Sequence, residues 1–278
     1  MPVIALTQEM GSLAKEVASG VSDALGLRQQ KHEVEGHVAD KLNVSRSLIR
    51  RLREGKAGLF ERLGADTDAI ALYSAEEVYA QAALGNVVLR GWGATCLLRQ
   101  VPHVPCIRIT RSLQNRIYWL MEHLDIDDVD IAEDEIRRSD AAHAARMQQQ
   151  FGVTWGDPVL YDLVLNTDRL SVDSCVQQIV HLVALPEFLP SVQSEAAIER
   201  LALEWRVRAA LKADDATRDV KVTIEADGGG QIVLRGIVLS EGERALTEQV
   251  VAKVRGVSAV ENELRLMQST RLFASAKY

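Results

Sequence analysis

Cysteine, aromatic side chains and long apolar runs are all scarce in this 278-residue sequence. The three cysteines, Cys96, Cys106 and Cys175, are scattered and odd in number. That excludes a disulfide framework and leaves no pair at metal-ligand spacing, a pattern that suits a reducing compartment; a cytoplasmic location is expected. No run approaches the ~20 apolar residues needed to span a bilayer. The opening "MPVIALTQEMGS" lacks a basic start followed by a long apolar core, so no secretory leader is expected. Positive charge is also in short supply: 32 Lys and Arg against 39 Asp and Glu give a net charge of −7, which argues against a dedicated nucleic-acid binder. What remains is a globular composition, 47% hydrophobic and 26% charged, long enough for one large domain or two ordinary ones.

The charge is uneven. Residues 1–199 carry 19 basic and 28 acidic side chains, whereas residues 200–278 carry 13 and 11. The shift coincides with "LPEFLPSVQSEAA" (185–197), where Pro186 and Pro190 end whatever precedes them. A first domain over 1–184, a linker over 185–199 and a second domain over 200–270 are expected.

In the first region strand and helix signals alternate. Apolar runs at 3–7, 86–91, 104–110 and 160–166 read as strands. Periodic segments at 13–25, 31–42, 45–53, 75–84, 112–124, about 128–150 and 172–183 read as helices, the last capped by Ser171. Short apolar strands separated by helices imply a parallel sheet covered on both faces. Ligands bind such sheets beyond the carboxyl ends of the strands, here residues 8–12, 91–94, 110–111 and 166–168. The stretch "VIALTQEMGSLAKEVA" (3–18) is a buried strand, a glycine turn and a helix start beside a lysine, an arrangement that often holds phosphate.

Four segments in order, "QEMGSLAK", "LRGWGA", "IRITRSLQNRIYWLMEHL" and "EIRRSDAAHAARMQQQFGVTWGDPVLYDLVLNTDRLS", resemble the cytidylate kinase-like family of P-loop nucleoside monophosphate kinases over roughly residues 1–183. The resemblance implies an α/β fold, a P-loop parallel sheet with helices on both faces. It implies a nucleotide partner, ATP as phosphoryl donor and Mg²⁺. Gly11, Ser12, Leu13, Ala14, Lys15 and Glu16 would cradle the donor phosphates. Gly91, Trp92, Gly93, Ala94, Arg116, Arg137 and Asp140 would line the acceptor side. Lys15, Arg138 and Arg146 would carry catalysis, with Glu16 where the Walker pattern has its metal-binding Ser or Thr; no dedicated protein metal site is expected.

The chain departs from the family's pattern at several cations and glycines. Gln8 stands where an Arg is usual, Leu13 and Ala14 replace glycines, Trp92 occupies an arginine position, and the lid run after Asp140 is left with Arg146 as its strong cation. Phosphoryl transfer depends on positioning and on cations around the moving phosphate. Slow or absent monophosphate kinase activity with retained nucleotide affinity is therefore expected. On one helix, Arg146 lies about 80° from Arg138 and opposite Arg137. Arg138 and Arg146 can then address one phosphate chain, while Arg137 pairs with Glu133 or Asp134. Each residue also has a plainer reading: Lys15 as a first-turn lysine, Arg116 as a surface residue, Trp92 as filler, Trp155 and Tyr161 as packing.

Two other motifs compete. In "KHEVEGH" (31–37), His32 and His37 are five residues apart, which turns their rings ~140° from each other on a helix, a poor zinc geometry. "VADKLNVSRSLIRRLREGK" (38–56) has a helix-turn-helix pattern with Arg46, Arg50, Arg51, Arg53 and Lys56 as phosphate contacts. The same helices also suit the acceptor-side subdomain of a monophosphate kinase, with Leu48, Ile49 and Leu52 packed inward, and the acidic surroundings favour this. No specific nucleic-acid partner is expected.

Residues 201–267 read as helix, strand, strand, helix, strand, with "DGGG" (227–230) as a hairpin turn. "VLRGIV" and "VRGVSAVENEL" resemble a BON domain, a small α+β module whose family implies a protein or lipid partner. The leading expectation is thus a nucleotide-binding kinase-like domain fused to an interaction module. The alternatives are a non-catalytic nucleotide sensor that reports through that module and, third, a DNA binder.

Overall fold

The structure is a computed structural model that describes residues 1–30 and 33–267. Lys31 and His32 of the histidine motif, and the last residues of the expected second domain, lie outside the described residues. The chain divides into two compact units at residues 198 and 199.

The first unit is built on a five-stranded parallel sheet. β1 (Val3–Gln8), β2 (Arg28–Gln29), β3 (Val87–Arg90), β4 (Cys106–Thr110) and β5 (Leu163–Asn166) lie in the order β2-β3-β1-β4-β5. β1 is central, and its run Val3, Ile4, Ala5, Leu6 is at most 1% exposed, as expected of a parallel strand covered on both faces. Alternate residues face opposite ways. Ile4, Leu6, Val88, Ile107 and Ile109 pack with Val17, Ala18 and Val21 of α1 (Ala14–Leu25) and with Cys175 and Ile179 of α9 (Val172–Val183). Thr7 and Arg108 face the other side, where Trp155 meets them.

Between β2 and β3 come α2 (Glu33–Leu42), α3 (Arg46–Glu54), the short α4 (Leu59–Leu63) and α5 (Thr67–Leu84). Ser45 caps α3 by accepting from the Leu48 amide, and the inward residue Ile49 is 2% exposed. α5 starts eight residues before the expected 75, with Asp66 as its cap. Its buried residues, including Ala69, Tyr73, Val78 and Tyr79, lie all around the helix, so no one-sided periodicity marks its first turns. β2 is only two residues long, too short to leave a pattern in the sequence. α6 (Ala94–Leu97) follows β3, and α7 (Leu113–Leu124) and the long α8 (Val129–Phe151) connect β4 to β5. Ile117 and Leu120 of α7 pack on Ala132 and Ile136 of α8. α9 (Val172–Val183), capped by Ser171, closes the layer.

In the segment expected as a linker, residues 186–188 form a 3₁₀ turn and residues from 192 onward are helical, in α10 (Val192–Ala213). The second unit holds β6 (Val222–Ala226), β7 (Gln231–Val238), α11 (Glu241–Ala252) and β8 (Ala259–Leu266). β6 and β7 are antiparallel, and β7 and β8 parallel. Leu203, Val207 and Leu211 of α10 pack with Ile232, Leu234 and Val251 to form its core. Among the described residues no helix is long and apolar enough to cross a membrane.

Candidate functional site

β1 has β3 on one side and β4 on the other, so the chain order reverses around it and a crevice opens at its carboxyl end. There the chain turns through residues 9–13 into α1. No side chain caps this helix, and the amides of Ala14, Lys15 and Glu16 make no hydrogen bond among the described residues. Such free donors at the positive end of a helix dipole suit an anion. The Ser12 hydroxyl is buried at 1% exposure without a partner, while its carbonyl accepts from Thr167 Oγ1 at 3.0 Å. Lys15 is exposed and makes no ion pair among the described residues. Leu13 sits at φ 60° in the left-handed region, a conformation that costs a residue with a Cβ roughly 1–2 kcal/mol. Gly11, at φ +78°, lies so close to α7 that a Cβ there would be 3.2 Å from the Arg116 Cα.

Beneath this turn the charges are paired. The Glu9 carboxylate accepts from Arg108 at 2.6 Å, Thr110 Oγ1 at 2.7 Å and the Arg111 amide at 3.2 Å. Arg108 also donates to the Trp155 carbonyl at 3.1 Å and lies 4.4 Å over its ring. Arg116 holds Asp140 through two bonds of 3.0 and 2.8 Å and is itself buried. Asp168 accepts from the Ser112 amide at 2.8 Å and from Asn115 at 2.7 Å, with Arg111 at 3.5 Å.

A cavity of about 440 Å³ opens between α3, α5, α8 and the loop after β3. That loop carries three successive positive φ angles, 81° at Gly91, 57° at Trp92 and 72° at Gly93. Gly91 is favoured by its φ of 81°, and a Cβ there would also push aside the end of Arg53, whose Nη2 would lie 2.6 Å away. The Arg53 guanidinium lies 4.3 Å over the Trp92 ring and has no carboxylate partner among the described residues. Burial first, then Arg146 and Arg90, pull its pKa down to about 10, while the carboxylates of Glu35 and Glu54 oppose the shift. Arg146 donates to the carbonyls of Arg53 and Leu52. Arg90 donates to Gln8 at 3.1 Å, but its Nε is buried without a partner. Burial lowers the Arg90 pKa, and the Glu16 carboxylate opposes that shift. Arg62 and Arg138 also line the cavity, and no Asp or Glu does. His143 lines it too, stacked on Trp155 with 4.3 Å between ring centroids. Burial first, then Arg146, Arg53 and Arg108, push its pKa down to about 3.

The structure divides the residues singled out in the sequence. Trp92, Gly93, Arg138 and Arg146 line the cavity, with Gly91 and Ala94 in or beside the same loop. Gly11 through Glu16 form the turn into α1. Arg116 and Asp140, expected on the acceptor side, do not line this cavity; they bind each other, because α7 and α8 pack face to face at that level. Arg137 is also outside the cavity, paired with Glu133 one turn away. Arg138 pairs with Glu135. Arg53, Arg62, Arg90 and His143 were not read from the sequence as part of this site. Arg53 did stand out, but as one cation of a basic helix. Around it Arg50 pairs with Glu35, Arg51 with Glu61, and Lys56 with Glu135, so these three are not free for nucleic-acid phosphates. His37 meets Glu76 at 2.9 Å and Glu77 at 3.4 Å. No group of three His, Cys, Asp or Glu is placed to hold a metal among the described residues.

Residues 3–169 match the family model described as the cytidylate kinase-like family, and residues 201–268 match that of the BON domain. Among solved structures, an uncharacterized protein from Eubacterium ventriosum ATCC 27560 is similar with a TM-score of 0.52 and 17% identity, covering 66% of this chain and 98% of that one. A shikimate kinase from Bacteroides thetaiotaomicron has a TM-score of 0.42 and 15% identity, covering 66% and 99%. A shikimate kinase from Acinetobacter baumannii in complex with shikimate has a TM-score of 0.40 and 12% identity, covering 66% and 93%. No curated protein matches the chain.

Proposed function

We propose that this chain, which belongs to the cytidylate kinase-like family across residues 3–169, binds a nucleoside triphosphate by its phosphates at the start of α1 and transfers a phosphoryl group slowly to a small acceptor in the arginine-lined cavity. ATP is the proposed donor, and a nucleoside monophosphate or related phosphorylated molecule the acceptor. The observation that carries this reading is Arg53, a guanidinium held in a cavity without carboxylates and without a counterion among the described residues. Burying an unpaired charge is unfavourable unless something compensates it; an anionic ligand does so.

The chain's own groups fit the donor in part. The free amides of Ala14, Lys15 and Glu16 and the orphaned Ser12 hydroxyl supply hydrogen-bond donors. Lys15 brings its ammonium to the same phosphates. Mg²⁺, when bound, supplies charge neutralisation between phosphate oxygens; Glu16 would be its one protein carboxylate, as Mg²⁺ sites on nucleotides often need no more. Arg90, coupled by charge both to Glu16 and to Arg53, would supply positive charge for the moving group. The acceptor oxygen forms the new P–O bond, the bond to the bridging oxygen breaks, and the nucleoside diphosphate leaves.

Slowness follows from the same residues. Gln8 occupies an Arg90 nitrogen, Arg116 is held by Asp140, and the Cβ of Leu13 narrows the turn. Each tenfold loss of rate is about 1.4 kcal/mol of transition-state stabilisation. We assign catalysis to residues 1–184 and a partner-binding role, toward protein or lipid, to the BON domain over 200–270, with a cytoplasmic location.

The test is ADP formation from ATP and Mg²⁺ with each nucleoside monophosphate. Turnover that is above background and lost in Lys15→Ala supports transfer. Tight ATP binding, read as thermal stabilisation, with no turnover on any acceptor supports the second reading, a nucleotide sensor. The strained Leu13 and the engaged Arg116 favour that alternative.

A further inference from the structure

The charged groups around the cavity are all donors, and its other acceptors, on Thr67, Gln149 and Gln150, sit on side chains that can rotate. Arg53, Arg62, Arg138 and Arg146 can only donate hydrogen bonds, and no carboxylate lines the wall. Ser74 already donates its hydroxyl to the Ile70 carbonyl at 2.6 Å. His143 differs in kind. A neutral imidazole has one nitrogen that donates and one that accepts. Its ring nitrogens make no hydrogen bond among the described residues, and the residue lines the cavity.

The ring is held in place. It stacks on Trp155, whose Nε1 donates to the buried Thr7 hydroxyl at 3.1 Å. The Trp155 carbonyl is fixed in turn by Arg108 at 3.1 Å and by the Tyr161 hydroxyl at 2.6 Å. A ring clamped this way offers its acceptor nitrogen at a set position in the wall, which a flexible glutamine side chain does not.

We infer that His143 is a specificity-determining residue: it accepts a hydrogen bond from a hydroxyl group next to the anionic group held by Arg53, so the acceptor class is a hydroxylated phosphate ester rather than a bare alkyl phosphate. The inference rests on the reading of this cavity as the acceptor site. Burial of the ring first, and then the charge around it, keep it in the accepting form. Arg53 faces it from α3, Arg108 from β4 and Arg146 from its own helix, while Asp140 on that helix is engaged by Arg116. A protonated ring would add a fifth donor to a wall that has four guanidiniums, and would repel all of them.

Two probes of matched carbon skeleton separate the contributions. Glycerol 3-phosphate and propyl phosphate share the phosphate monoester and differ in two hydroxyls. Titration calorimetry with the full chain should find glycerol 3-phosphate about tenfold tighter. His143→Phe, which keeps a ring for Trp155 to stack on, should remove that preference and leave propyl phosphate unchanged. His143→Asn, which retains an acceptor, should keep part of it. In nuclear magnetic resonance spectra, the His143 ring signals should move with glycerol 3-phosphate and stay put with propyl phosphate. Thermal melts of both variants report whether they are folded. Equal affinity for the two esters in the unmodified protein, or a preference that survives His143→Phe, overturns the role of His143 while the acceptor site stands, provided Arg53→Ala weakens both by about tenfold or more. If neither ester binds at millimolar concentration, the acceptor reading and the inference fall together.

Discussion

The turn below α1 and the cavity beside it are both rich in arginine, yet they use it in opposite ways. At the turn Arg108 meets Glu9, Arg116 meets Asp140 and Arg111 approaches Asp168. In the cavity Arg53 and Arg146 face each other's charge with no carboxylate on the wall, and Arg90 adds to the repulsion. Paired buried charges hold elements together, and removing one partner is costly. Half-buried charges of one sign that lack ion-pair partners raise the energy of the free protein and lower that of a complex with an anion. The contrast separates scaffold from site by a physical criterion, independent of which residues a motif points to.

The strongest way to break this contrast is Glu9→Ala. The Glu9 and Arg108 side chains are 13% and 7% exposed, so the substitution strands Arg108 and should cost about 3–5 kcal/mol in denaturant unfolding. A loss below about 1 kcal/mol would mean that the pairs at the turn are not structural.

Arg53→Ala should do the reverse. Stability should change by less than about 1 kcal/mol, because the lost stacking on Trp92 is offset by relief of repulsion. Affinity for a phosphate ester should fall by about 1.5–3 kcal/mol, the worth of a hydrogen bond to a charged group. A large stability loss with unchanged affinity would move Arg53 into the scaffold.

Acid sharpens the comparison. The His143 pKa in the folded protein is about 3, against about 6.5 in the unfolded chain. Above pH 6.5 both states hold the ring neutral and there is no penalty. As pH falls below 6.5 the unfolded chain takes up the proton first, so stability drops, by about 2 kcal/mol at pH 5 from this group. His103 acts in the same direction, lowered by burial and then by the N-terminal ammonium, with Glu195 opposing. His143→Phe should therefore flatten part of the pH dependence of unfolding between pH 7 and 5. An unaltered slope would show that burial and the neighbouring arginines do not hold the ring neutral.

The smallest effect is expected for Leu13→Gly. Relief of the left-handed backbone, less the flexibility glycine adds to the unfolded chain, should raise stability by up to about 1 kcal/mol. Opening the turn should tighten ATP by a few-fold in calorimetry. Weaker ATP binding would show that the leucine side chain supports the nucleotide.

Much of this fold was legible because its signals are local. The strands of β1, β3, β4 and β5 are continuous apolar runs, and Ser171, Ser45 and Asp128 announce helices through caps one turn long. The glycine turn at Gly11 and the BON pattern after residue 200 are short-range as well. So is the i,i+4 pairing of Arg137 with Glu133. Helix α5 was read short because a helix buried on every side has no stripe to see.

By itself the sequence determined the layers of the protein, the place of the turn and the family, since backbone preference and side-chain period act over a few residues. Which arginine serves which end was decided by the tertiary structure alone. Glu9 finds Arg108 ninety-nine positions away, Arg116 finds Asp140 twenty-four away, and Arg53 meets Trp92 only when α3 and the loop after β3 close one wall. A guanidinium has the same charge everywhere in a sequence; whether it meets a carboxylate or another guanidinium depends on how distant elements pack, and that encounter makes it a strut or a binding group.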